Sequence, residues 1–247
     1  MARRTKEDAA ETRTRILDVA EQVFYDKGVS RTSLADIAAA AGVTRGAIYW
    51  HFRNKVDLFT AMMDRVTLPM EPMAFIAGYP ALNDPLGQVR ACALDVLHQA
   101  ATNARVQRVF DIVFHKCEYV GEMETLKARH LECRGKCLAE IERGFANAIR
   151  KGQLPAGVDP RRAAVGLHAL IDGLLANWVL DPAYHPLAEE AEKIVDSHLA
   201  GLAAEPLATT KKTVPATANK PRLVAPPEGA QPGTRSTGAP ECTTARR

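Results

Sequence analysis

Arg45, Gly46, Tyr49 and Trp50 fall on one side of a helical wheel, so that one cation, one residue without a side chain and two amphipathic rings face the same way. That set suits the edge of a DNA groove. A guanidinium can donate to both major-groove acceptors of guanine, a contact worth roughly 1–3 kcal/mol of discrimination between bases. Gly46 lets a backbone approach closely, and Ala47 offers a methyl to thymine. Ile48 and Phe52 fall on another side, which can pack while the first side reads. Arg45 stands at the start of the helix, where a cation is unfavourable and a purely structural role is hard to find. Tyr49 and Trp50 have packing as the alternative role, since large rings usually bury area.

The elements that must hold these residues are two short helices around a tight Gly42-Val43 turn, over residues 33–52. Ser33 is placed to cap the first, with Asp36 three residues on where a carboxylate favours the helix start. Leu34, Ile37, Ala38 and Ala41 give it a small buried face, Gly42 stops it, and Thr44 caps the second helix. A preceding helix is expected from about Thr12 to Lys27, ended by Gly28. A fourth is capped by Asn54 and runs past Leu58, Met62 and Val66 until Pro69 and Pro72 interrupt it. Proline, glycine and Asn-Asp-Pro between Pro69 and Pro85 predict a break. Further helices are expected at 86–102, 105–121, 124–151, 160–180 and 187–203. No segment alternates as a strand would, and the fold class is all-α. The 160–180 helix is apolar on two stripes. With Ile194, Val195, Leu199 and Leu202 of the next helix it could form a four-helix interface between two chains, so a homodimer is expected. These elements divide the chain into a DNA-binding domain at 10–70, a ligand-binding and dimerisation domain at 71–204, and a tail at 205–247.

Composition agrees with a globular protein of one or two domains: 247 residues, 47% of them hydrophobic. The most apolar segment, Ala163 to Leu180, is interrupted by His168, Asp172 and Asn177, and reads as a buried helix rather than a membrane span. The N-terminus lacks the apolar core of a secretory signal, which predicts a cytoplasmic location. The formal charge of +3 is distributed as +2 over residues 1–70, −3 over 71–204 and +4 over 205–247. This agrees with DNA contact at the N-terminus but does not decide it. Five cysteines and no leader make a disulfide framework improbable. The tail holds 7 of the 15 prolines and scarcely any large apolar side chain, so it is expected to be disordered.

The run from Gly42 to Phe52, preceded by Thr32-Ser33 and followed by Lys55, resembles the helix-turn-helix signature of the TetR family of repressors. Phe114 to Met123, Gly152-Gln-Leu-Pro155, Asp172-Gly-Leu174 and Trp178 look like the C-terminal domain of its AcrR and TtgR branch, which represses multidrug efflux pumps. The resemblance implies a homodimeric repressor that binds an inverted-repeat operator on double-stranded DNA, with reading helices one duplex turn apart (~34 Å) or slightly more. Tyr49, His51, Lys55 and the Thr32 and Ser33 hydroxyls are then expected on phosphates, Thr44 and Trp50 at the same surface. Only the family pattern brings in His51, because the wheel puts it between Ala47 and Ile48. The resemblance further implies a large, mainly apolar pocket for a hydrophobic, drug-like inducer. Its expected lining is Val89, Ala93, Val96, Phe110, Val113, Phe114, Cys137, Ile141, His168, Ile171, Asp172 and Leu175. Thr67 and His130 stand where relatives hold other polar or charged groups, which leaves charge preference open. Asp172 is the sharpest of these, as a carboxylate amid an apolar helix that serves either as an acceptor for ligands or in a structural ion pair.

Other functions have weaker support. His130, Cys133 and Cys137 share one helix face, with His115 and Cys117 nearby in sequence, so a redox or metal-sensing regulator is conceivable; against it, one helix cannot wrap a tetrahedral site. No phosphate loop, nucleophile elbow or dinucleotide fingerprint appears, and Asp196-Ser197-His198, adjacent on a helix, point in different directions. Neither an enzyme nor a cofactor is expected. A constitutive DNA-binding protein would not need so large a second domain.

Overall fold

The computed structural model describes residues 6–69 and 79–204. All regular structure among them is helical: α1 (Lys6–Lys27), α2 (Leu34–Ala40), α3 (Arg45–His51), α4 (Lys55–Thr67), α5 (Pro85–Thr102), α6 (Ala104–His115), a 3-10 turn (Gly121–Met123), α7 (Glu124–Arg150), α8 (Pro160–Leu180) and α9 (Leu187–Ala203). Most of the expected break between Pro69 and Pro85, and the whole expected tail at 205–247, lie outside the described residues.

Helix α1 starts six residues before the expected Thr12. Glu7 and Asp8 give it an acidic first turn, and the Thr12 hydroxyl, inside the helix, donates to the Asp8 carbonyl at 2.8 Å. The two short helices form as their caps dictate. The Ser33 hydroxyl accepts from the Asp36 amide at 3.2 Å while Asp36 Oδ2 accepts from the Ser33 amide at 2.9 Å, a reciprocal capping box. After α2, the amides of Gly42 and Val43 donate to the Ala39 and Ala38 carbonyls, and Gly42 adopts φ +63°, which favours glycine. Thr44 Oγ1 accepts from the Ala47 amide at 3.1 Å to start α3. Beneath, Ile48 and Phe52 are buried in the core with Ile16, Leu17, Phe24 and Ile37.

In the C-terminal half, α5 packs on α7 and α9, and α8 on α6 and α7. By length and a mean hydropathy of 1.5, α8 is apolar enough to cross a membrane. Here it serves as a core helix, burying Ala164, Leu167, Leu175 and Trp178. Helix α6 joins the halves. Arg105 of α6 and Arg65 of α4 both reach Asp18 of α1 at 2.6 Å, and both lie 3.3 Å from the fully buried Glu21. Burial pushes the Glu21 carboxyl up, with Arg105 and Arg65 opposing that shift.

One helix is shorter than its apolar pattern predicts. The expected 105–121 helix ends at His115, because the Lys116 carbonyl accepts from the amide of Val29, 2.9 Å away in the turn after α1. A long-range backbone bond of this kind leaves no trace in periodicity.

Candidate DNA interface and ligand cavity

Helix α3 presents the reading set outward. Arg45, Gly46, Tyr49 and Trp50 are exposed, Trp50 to 73% and Tyr49 to 46%. For Trp50 that removes the packing alternative, since a ring this exposed buries little area. The Arg45 guanidinium lies 5.8 Å from the Tyr49 ring centre, and the Trp50 ring meets His51 edge-on at 4.5 Å. A Cβ on Gly46 would find Thr44 Oγ1 at 4.0 Å, so among the described residues no close neighbour requires glycine there. Ala47 and His51 are half-buried, and Thr44 is exposed beside the cap it makes.

Two residues expected on phosphates are directed inward instead. Thr32 is buried and its hydroxyl donates to the Gly28 carbonyl at 2.8 Å. Lys55 is also buried, with Nζ donating to the Val29 and Thr32 carbonyls at 3.0 and 2.9 Å and pairing with Glu122 Oε1 at 2.8 Å. An ammonium has three donors, and all three are engaged. The Ser33 hydroxyl is likewise occupied in its capping box, donating to Asp36 Oδ2 at 2.6 Å, and its hydrogen bonds with Ser33 hold the Asp36 carboxyl below its ordinary range. Two cations outside the expected set stand near the end of α3. The Arg53 side chain is 87% exposed directly after Phe52, and the Arg13 guanidinium lies 5.1 Å from the Phe52 ring centre. Arg53 was visible in the sequence as a cation adjoining the signature.

A cavity of about 160 Å³ lies between α5, α6, α7 and α8. The expected Val89, Ala93, Val96, Phe110, Phe114, Cys137, Ile141, His168, Ile171, Asp172 and Leu175 line it, joined by Cys92, Asp95 and Leu167. Three expected residues do not. The Thr67 hydroxyl donates to the Met63 carbonyl, Val113 packs against the core, and the His130 ring stands 6.0 Å from that of Tyr119. The cavity is small where a large one was expected, since drug-sized ligands usually occupy some 300–1,000 Å³. The rings of Phe110 and Phe114, 6.1 Å apart, stand on its wall. His168 Nδ1 lies 3.1 Å from Asp172 Oδ2. Burial pushes the Cys92 and Cys137 thiols up, and Asp172 adds to the shift at Cys137, so both are protonated apolar lining at neutral pH. A wider depression along Ala81–Arg90 is open to solvent and has no aromatic wall.

Residues 16–62 match the model for bacterial regulatory proteins of the tetR family, and residues 84–203 match that for the C-terminal region of MAATS-type transcriptional repressors. The chain is 43% identical to the HTH-type transcriptional regulator TtgR of Pseudomonas putida, over 81% of this chain and 95% of that one. It belongs to the TetR family. The crystal structure of NalD, secondary repressor of the MexAB-OprM multidrug efflux pump in Pseudomonas aeruginosa, superposes on this TetR-family regulator with a TM-score of 0.74 at 37% identity, covering 81% of this chain and all of that one. A complex of SmeT with triclosan superposes at 0.71 and 31%, again over 81% and 100%.

Elsewhere in the TetR-family regulator, Asp196 pairs with Arg90, the Ser197 hydroxyl donates to the Lys193 carbonyl, and His198 rests on Gly166. The three side chains diverge. Among the described residues no group of three or more His, Cys, Asp or Glu is placed to hold a metal ion, His130, Cys133 and Cys137 included.

Proposed function

We propose that this regulator represses a multidrug efflux operon and leaves a palindromic operator when a hydrophobic, drug-like inducer enters the cavity between α5 and α8. The observation that carries the reading is the division of α3, with Ile48 buried beneath and Arg45, Tyr49 and Trp50 exposed above. Arg45 would read a base, with Gly46 and Ala47 close against the groove. Tyr49, Trp50, His51, Thr44 and the added Arg53 would meet the backbone, whose contacts set register without reading sequence. Residues 10–70 form the DNA-binding domain and 71–204 the ligand and dimerisation domain. Exposed Val165 and Leu180 on α8 are apolar surface that a second copy would cover, in a cytoplasmic homodimer.

The relatives support the efflux role, since NalD is a repressor of such a pump and SmeT is known with triclosan bound. The test is fluorescence anisotropy of the full chain on DNA from immediately upstream of its gene, with triclosan titrated in. Binding to a palindrome that triclosan weakens supports the reading. Binding that no hydrophobic compound alters would mark a constitutive DNA-binding protein instead.

A further inference from the structure

The stretch between α6 and α7 is bound to the end of α1, to the turn that follows it and to the start of α4. The Val29 amide donates to the Lys116 carbonyl at 2.9 Å. The Lys116 ammonium donates to the Tyr25 carbonyl at 2.9 Å and lies 3.9 Å from the Tyr25 ring centre. Ser30 Oγ reaches Glu118 at 3.5 Å. Glu122, in the 3-10 turn, pairs at 2.8 Å with Lys55, whose Nζ also holds the Val29 and Thr32 carbonyls. Lys55 opens α4, and Thr32 directly precedes the cap of α2. One buried ammonium thus ties together the entry to the helix-turn-helix, the start of α4 and a carboxylate from the C-terminal half.

We propose that Lys55 and Glu122 are positioning residues, a latch through which the Lys116–Glu122 stretch holds α2 and α3 in their DNA-reading position. A buried ammonium is costly without a partner, so its location depends on Glu122 remaining in place. Glu122 is 59% exposed on its outer side, while Lys55 is 6% exposed. The pair is therefore a hinge pin open to solvent on one side only. The stretch continues directly from α6, whose Phe110 and Phe114 border the cavity, and His115 Nε2 ties the end of α6 to the Ala176 carbonyl of α8 at 2.8 Å. A guest in the cavity would press on wall side chains such as Phe114, two residues before the latch segment begins. That last link rests on the cavity being the inducer site; the positioning role of the pair does not.

The test uses the full chain and three forms: wild type, Glu122→Gln, and Glu124→Gln as a neighbouring exposed carboxylate. Amide hydrogen exchange and anisotropy on the upstream DNA are read without any inducer, so failure of the inducer reading cannot be mistaken for failure of the latch. Glu122→Gln should speed exchange about tenfold at the amides of residues 28–34 and 45–52, leave those of α8 and α9 unchanged, and weaken DNA binding roughly five- to tenfold. Glu124→Gln should do neither. Unchanged exchange and affinity in Glu122→Gln would overturn the proposal. So would acceleration spread evenly over all helices, which would make the pair an ordinary stability contact.

Discussion

His168 Nδ1 and Asp172 Oδ2 lie 3.1 Å apart, one turn along α8, and both side chains border the cavity. Asp172 thereby has a polar partner of the kind that a carboxylate in an apolar helix needs, yet it keeps 49% of its side-chain surface exposed, so this contact and a ligand-acceptor role are compatible. Asp172→Asn is expected to weaken binding of a phenolic probe such as triclosan by about tenfold or more, since hydrogen bonds to a charged acceptor contribute roughly 1.5–3 kcal/mol. Operator affinity without the probe should not change. Isothermal titration on the two proteins checks this.

Lys55 and Arg53 are separated by the salt dependence of DNA binding. Each phosphate contact adds about 0.9 to the slope of log affinity against log salt. Lys55→Met should leave the slope as it is, because the ammonium faces inward, but should lower stability by about 1–3 kcal/mol by leaving the Val29 and Thr32 carbonyls without their donor. Arg53→Ala should reduce the slope by about one contact with little change in stability. A reduced slope in Lys55→Met would return that lysine to the phosphates.

Stability should fall on mild acidification. Burial holds the His198 imidazole below its ordinary value, and burial, with Arg134 adding to it, does the same at His130. The unfolded chain therefore binds protons that the folded chain refuses. Their contribution is complete above the ordinary imidazole pKa and is lost as pH drops below it toward the folded values. His198 Nε2 is buried without a hydrogen-bond partner among the described residues, and its ring carbon rests on the site of a Cβ at Gly166, 3.4 Å away. His198→Leu should flatten the decline in urea midpoint between about pH 7.5 and 5.5. An equally steep decline in the variant would remove His198 from the account.

What the sequence made legible was local. Ser33 with Asp36, Gly42, Thr44 and Asn54 are caps and stops that act within four residues, and each does what its type predicts. The paired faces of α3 follow from a fixed helical period, and the cavity lining follows mostly from family resemblance. The inward turn of Lys55 was not legible, because its partners are the carbonyls of Val29 and Thr32 and a carboxylate at 122, brought together only by tertiary packing. The end of α6 at His115 was hidden for the same reason. The modest size of the cavity was equally out of reach, since volume depends on how side chains such as Phe110 and Phe114 settle against one another.

The most direct test of the whole account is the affinity of Arg45→Ala for operator DNA at fixed salt, measured beside its thermal unfolding. The side chain is exposed on α3 beside the Tyr49 ring, so unfolding should be unchanged while affinity falls about ten- to a hundredfold, the roughly 1–3 kcal/mol of a bidentate base contact. An Arg45→Ala protein that folds and binds the operator as tightly as wild type would contradict the assignment of α3 as the reading helix.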